Sequence, residues 1–130
     1  MDVDNKYQAG LNKKSFELSY NGGSIWAEHL DSMGNYETEV IQKFSEDYKL
    51  FCKPSVSSFL IINLCETTIT NQIANYIVDS ILNCNKRLMK IAFVGVERKL
   101  QSHFSKIMDI KGIQICFMKD YEKAKQWILP

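Results

Sequence analysis

Residues 58–96 read SFLIINLCETTITNQIANYIVDSILNCNKRLMKIAFVGV, and the fold turns on this stretch. SFLIINL is a continuous apolar run of strand length, the pattern of a strand buried on both faces. Ile73, Ala74, Ile77, Val78, Ile81 and Leu82 then recur at helical spacing, which gives the helix after the threonines one apolar side. RLMKIAFVGV is a second buried strand. Strand, helix and strand in succession form a crossover unit, whose right-handed connection lays the two strands parallel.

The pattern extends in both directions. ERKLQSHFSKIMDIKG predicts a helix with Leu100, Phe104, Ile107 and Met108 inward and Gly112 as its C-terminal cap. IQICFM predicts a third parallel strand. DYEKAKQWILP predicts a closing helix capped by Asp120, with Tyr121, Ala124 and Ile128 on its buried side. Upstream, Val40, Ile41, Phe44, Tyr48 and Phe51 fall on one helical stripe, with Asn35 as N-cap, Glu37 and Glu39 at the positive end of the dipole, and Pro54 beyond the last turn. Before it, Phe16, Leu18 and Tyr20 alternate with polar residues, Asn21, Gly22 and Gly23 supply a turn, and Ile25 and Ala27 resume the alternation, which predicts a β-hairpin. The expected fold is α/β: a mixed five-stranded sheet, an antiparallel hairpin followed by parallel βαβ units, covered by about four helices. Residues 1–14 are polar and aperiodic and read as a flexible arm, and residues 15–130 read as a single domain.

With 45% hydrophobic residues among 130, the composition is that of one globular domain. Sixteen basic residues against fifteen acidic ones give a formal charge of +1, which argues against nucleic acid or an anionic membrane as partner. The apolar runs fall short of the ~20 residues of a membrane helix, and MDVDNKYQAG is not a hydrophobic signal segment, so the expected location is cytoplasmic. Cys52, Cys65, Cys84 and Cys116 are unevenly spaced beside apolar runs and read as reduced structural thiols rather than a disulfide framework.

No assembled chemistry stands out. FVGVERK carries one glycine and CETTITNQ none, so neither offers the glycine-rich turn that lets backbone approach a pyrophosphate. Glu66, Glu97 and Asp120 lie near strand ends, where a divalent ion would need its carboxylates, but Glu97 and Asp120 also suit helix starts. His29 and His103 have no evident nucleophile to serve, and Cys65 is the one thiol at a strand-to-helix junction, read as buried and inert. Lys86, Arg87, Lys90, Arg98 and Lys99 cluster in sequence and read as solvated surface. Trp26 and Trp127 suit either an interface or core closure. No cofactor is implied.

FLIINLCETTITNQIANYIVDSI, KIAFVG, IQICF and the ending DYEKAKQWIL together resemble the STAS family, named for sulfate transporters and anti-sigma factor antagonists. The likeness runs from about residue 15 to 129 in element order, and is to the small stand-alone bacterial members. It implies a non-enzymatic, regulatory protein-interaction module in signalling, with an anti-sigma factor or kinase-like regulator as protein partner, or a homodimer. In the signalling branch, Asp-Ser-Ser-Gly opens the helix after the strand, and a serine there is phosphorylated. The ungapped match puts Asn71, Gln72, Ile73 and Ala74 at those places, so the acceptor is not retained. The expected binding or regulatory residues are Glu66, Thr67, Thr68, Thr70, Asn71 and Gln72, with Thr68 and Thr70 the nearest substitutes for the acceptor. The alternative is a small-ligand or anion-binding domain that uses Thr67, Thr68 and Thr70 at the helix start.

Overall fold

A computed structural model describes residues 13–20, 23–53 and 58–129. The hairpin strands are β1 (Phe16–Tyr20) and β2 (Gly23–His29), followed by α1 (Glu37–Phe51), β3 (Phe59–Asn63), α2 (Asn71–Leu82), β4 (Lys90–Val94), α3 (Gln101–Lys111), β5 (Gln114–Met118) and α4 (Tyr121–Ile128). The sheet order is β1-β2-β3-β4-β5, with β1 antiparallel to β2 and the remaining pairs parallel. Among the described residues the fold is the α/β arrangement expected: a mixed five-stranded sheet with four helices. Asn21, Gly22 and Pro54 lie outside the described residues, as do residues 1–12 of the expected arm. Among the described residues no helix is long and apolar enough to cross a membrane.

Each parallel strand is added on the same side of its predecessor. Right-handed crossovers then place α1, α2 and α3 on one face of the sheet, and α4 returns to the other. Two apolar layers follow. On the three-helix face, Trp26, Leu60, Ile62, Ile91 and Phe93 meet Phe44, Ile77, Phe104 and Ile107. On the α4 face, Ile25, Ile61, Ala92 and Val94 meet Ala124 and Ile128. Strands β3 and β4 are buried on both sides, which is why they read as unbroken apolar runs.

Local signals held at several helix ends and failed at others. Thr70 caps α2 by accepting from the Ile73 amide, Asp120 caps α4 by accepting from Glu122, and Gly112 ends α3 in the left-handed conformation. Asn35 does not cap α1. The helix starts from Tyr36 with no side-chain cap, and Asn35 supplies its backbone carbonyl to the Glu37 amide instead. Met108, expected inward, is 43% exposed, because α3 has a helical neighbour on one flank only. The thiols also differ from expectation. Cys52, at the end of α1, and Cys84, just past α2, are joined as a disulfide with Cα atoms 6.1 Å apart, while Cys65 and Cys116 are free. They lie 32 residues apart in sequence, and only the side-by-side packing of α1 and α2 brings them together.

Gly95 has a requirement that spacing alone does not reveal. Its φ of +84° suits glycine, and a Cβ there would lie 2.8 Å from the Cys65 Cα and backbone nitrogen. The loop after β4 thus passes directly against the loop after β3.

Strand β2 carries a polar residue into the core. Glu28 is fully buried beneath α1, where its Oε1 accepts from Trp26 Nε1 at 2.9 Å. Burial, followed by the neighbouring Asp47 carboxylate, raises the Glu28 carboxyl well above the usual range, and the Trp26 bond and the Lys43 charge oppose this without prevailing. An acid whose folded value is raised stabilises the fold most below its unfolded value and loses that contribution as pH rises through the folded one. Glu28→Gln keeps the acceptor for Trp26 while it removes the titration. Urea denaturation from pH 4 to pH 8 should show this variant gaining on the wild type steadily as pH rises. A difference that stays constant across the range would rule out a neutral, buried Glu28.

Candidate functional site

The C-terminal ends of the parallel strands gather the loops that follow β2, β3 and β4, the usual place for a site in an open α/β sheet. Here those loops are tied to one another. Ser32 donates to the Cys65 carbonyl at 2.8 Å, Gly34 to the Glu66 carbonyl at 3.1 Å, and Thr68 to the Gly34 carbonyl at 2.8 Å. Residues Leu30–Gly34 and Cys65–Thr68 therefore run side by side as an extension of the sheet, bridged at Gly34 and Thr67. Ser32 and Glu66 both adopt positive φ, near 60°, to make the fit.

The three threonines separate by role. Thr67 Oγ1 donates to the Leu30 carbonyl at 2.6 Å and accepts from the Met33 amide at 3.1 Å, so it pins the neighbouring loop. Thr70 Oγ1 accepts from the Ile73 amide at 3.1 Å and donates to the Glu37 carboxylate, which joins the start of α2 to the start of α1. Thr68 is exposed, and it contributes its backbone, not its hydroxyl, to the hydrogen bonds of the loop. Glu66, Asn71 and Gln72 are exposed beside it. The structure thus brings the six expected residues onto one rim and leaves Glu66, Thr68, Asn71 and Gln72 as its outer surface.

The other candidates fall elsewhere. Burial, followed by the charges of Asp31 and Glu66, pushes the Cys65 thiol up, and α2 begins six residues later, too far for its dipole to favour the thiolate. His103 is half-buried on α3. Glu97 precedes a short 3-10 turn at Arg98–Leu100 without capping it through its side chain. Among the described residues no group of three or more His, Cys, Asp or Glu lies close enough to hold a metal ion. Trp26 is core, and Trp127 packs half-buried against the α4 face.

Two polar clusters that sequence patterning missed flank the end of β2. On the α4 side, His29 Nδ1 lies 3.1 Å from Asp31 Oδ1, Lys13 pairs with the same carboxylate, and the rings of Phe16 and Tyr121 stand 5.5 and 5.2 Å from the imidazole. Burial alone would raise the Asp31 carboxyl, but hydrogen bonds from His29 and Lys13 outweigh it and hold the group below its ordinary value. On the α1 side, Ser15 Oγ donates to Asp47 at 2.8 Å and lies 3.1 Å from Lys43 Nζ, which itself reaches Asp47 at 3.2 Å and the His29 carbonyl. A serine beside a lysine suggests a nucleophile and its base. The geometry does not support that role, because Lys43 Nζ is committed as a donor to Asp47 and the His29 carbonyl, and the serine hydroxyl already donates to Asp47. Both clusters act as latches that fasten residues 13–15 to β2 and α1. The signal that could have found them is the charged spacing of Glu28, Asp31, Lys43 and Asp47, which becomes a constellation only once β2 and α1 are packed.

No protein-family model, no curated protein and no solved structure matches this chain. Thr70→Ala removes a cap and a bond to Glu37 and should lower stability by about 1 kcal/mol, whereas Thr68→Glu, on the exposed rim, should stay within about 0.5 kcal/mol of wild type. Urea midpoints of the two variants decide the assignment. Equal losses, or the larger loss at Thr68, would overturn it.

Proposed function

We propose that this chain is a non-enzymatic, regulatory protein-interaction module of the STAS-like kind, docking through the rim formed by Glu66, Thr68, Asn71 and Gln72 and the outer side of α2. The observation that carries the reading is the division of labour among the threonines. Thr67 and Thr70 are consumed in holding the loop, and the loop so held presents exposed polar side chains on a backbone fixed from both sides. An exposed polar rim on a hydrogen-bonded loop suits recognition by a protein better than enclosure of a small substrate.

The element order supports the same reading: a hairpin, then parallel crossover units with three helices on one face and the last on the other. The position where the signalling branch of the family carries its phosphoacceptor lacks a hydroxyl in this chain, and Thr68 is the hydroxyl nearest to it that does no structural work. Phosphate at Thr68 would add about −1.5 to −2 charges beside the start of α2, enough to create or abolish docking. The partner in this reading is an anti-sigma factor or kinase-like regulator, and self-association is the other form of the same contact. A cytoplasmic setting belongs with it, and there the Cys52–Cys84 pair would spend much of its time as two thiols.

The anion-binding alternative at this turn meets an electrostatic obstacle. The Glu37 carboxylate already occupies the cap of α2 through Thr70, and Glu66 adds a second negative charge close by. The test is affinity capture from the native cell with wild type, Thr68→Glu and Asn71→Arg. A specific protein retained by the wild type and lost by both variants is the expected result. A partner that binds all three equally would remove the rim from the contact.

A further inference from the structure

A second surface lies at the opposite edge of the sheet, where β3, β4 and β5 begin. Their first residues, Phe59, Lys90 and Gln114, are in register and form one wall of a cavity of about 660 Å³. That volume is within the ordinary range for a small-molecule site. Its floor is apolar, with Ile81, Leu88 and Ile113 buried beneath it. Four cations line it, Lys86, Arg87, Lys90 and Lys111, and among the described residues no Asp or Glu does.

The cluster has a structural cause that accounts for part of it. Helices α1, α2 and α3 all run antiparallel to the strands, so their C-terminal ends converge on this edge. Lys86 donates to the Phe51 carbonyl at 3.4 Å and Lys111 to the Cys84 carbonyl at 3.3 Å, at or just past the ends of α1 and α2. Lys90 reaches the Trp127 carbonyl of α4 at 3.5 Å and stands 5.0 Å from the Trp127 ring. A helix C-terminus carries a partial charge of about −0.5, so the four of them, α4 included, supply roughly −2. Four full positive charges still exceed that. Glu17 is near enough to act on Lys86 and lowers the surplus further, yet burial still pushes the Lys86 ammonium down, and none of the four cations has a carboxylate at ion-pair distance among the described residues.

Sequence proximity had hidden this site. Lys86, Arg87 and Lys90 were grouped with Arg98 and Lys99, but β4 lies between the two sets and separates them by roughly 13 Å along the strand. Lys111 comes instead from the end of α3, which topology returns to the same edge.

We propose that this cavity binds a small polyanion that carries phosphate groups, at a site separate from the docking rim and independent of it. The cations supply the charge-assisted hydrogen bonds, and the apolar floor excludes water from beneath them. An extended nucleic acid fits less well, because the cations are gathered round one concavity instead of laid along a stripe, and the chain as a whole is near neutral.

Isothermal titration of the full chain with inorganic tripolyphosphate and with ATP provides the test. Wild type should bind at least one of them saturably, more weakly as salt rises, and the stronger of the two tells whether phosphate alone or a phosphate with an apolar body is preferred. Arg87→Ser with Lys111→Ser, both at exposed positions, should weaken binding at least about tenfold. Lys106→Ser with Lys123→Ser removes the same charge outside the cavity and should change it less than about twofold. Circular dichroism of both pairs guards against misfolding. No saturable binding, equal losses in the two pairs, or tighter binding of single-stranded oligonucleotides with affinity rising with length would each overturn the proposal.

Discussion

Handedness is the constraint on which the rest of this molecule depends. Strands β3, β4 and β5 are each added in the same direction through a right-handed crossover, so three helices must share one face of the sheet. Two consequences follow without further assumption. Helix starts and strand ends meet at one edge, where the threonine loop sits, and helix ends and strand starts meet at the other, where the lysines gather. The two edges differ in polarity because the peptide dipoles of α1, α2 and α3 point the same way.

At the first edge the loops solve a shared problem of unsatisfied backbone. Beyond His29 and Asn63 the strands have ended, yet the pairing continues through Leu30, Ser32 and Gly34 to the opposite loop. Thr67 completes that pairing with a side chain where the backbone cannot reach, and Gly95 permits the third loop to close against Cys65. Glu66 and Ser32 take up the conformational cost in positive φ. Thus a segment that looks like a phosphate turn by composition is, atom by atom, mostly a fastening.

How much of this was legible in the sequence depends on the range of the interaction. The elements themselves were, because FLIIN and KIAFV announce double-sided burial and the Ile73 to Leu82 repeat announces a helix. The Asp120 cap, which acts within three residues, was legible for the same reason. What failed was non-local. Met108 has the right spacing but no helix to cover it, and Cys52 finds Cys84 only through helix packing. The candidate site followed the same rule: its position was legible, and the distinct roles of Thr67, Thr68 and Thr70 were not, since their partners Leu30, Met33 and Glu37 lie more than thirty residues away.

The account stands or falls on the loop being a fixed surface. Native-state hydrogen exchange at the amides of Ser32, Gly34 and Thr68 measures this directly, because each is bonded across the two loops. Fastened loops predict protection at all three comparable to that of the β2 and β3 amides. Exchange near the rate of an unstructured chain at these positions, with the sheet still protected, would contradict the central claim.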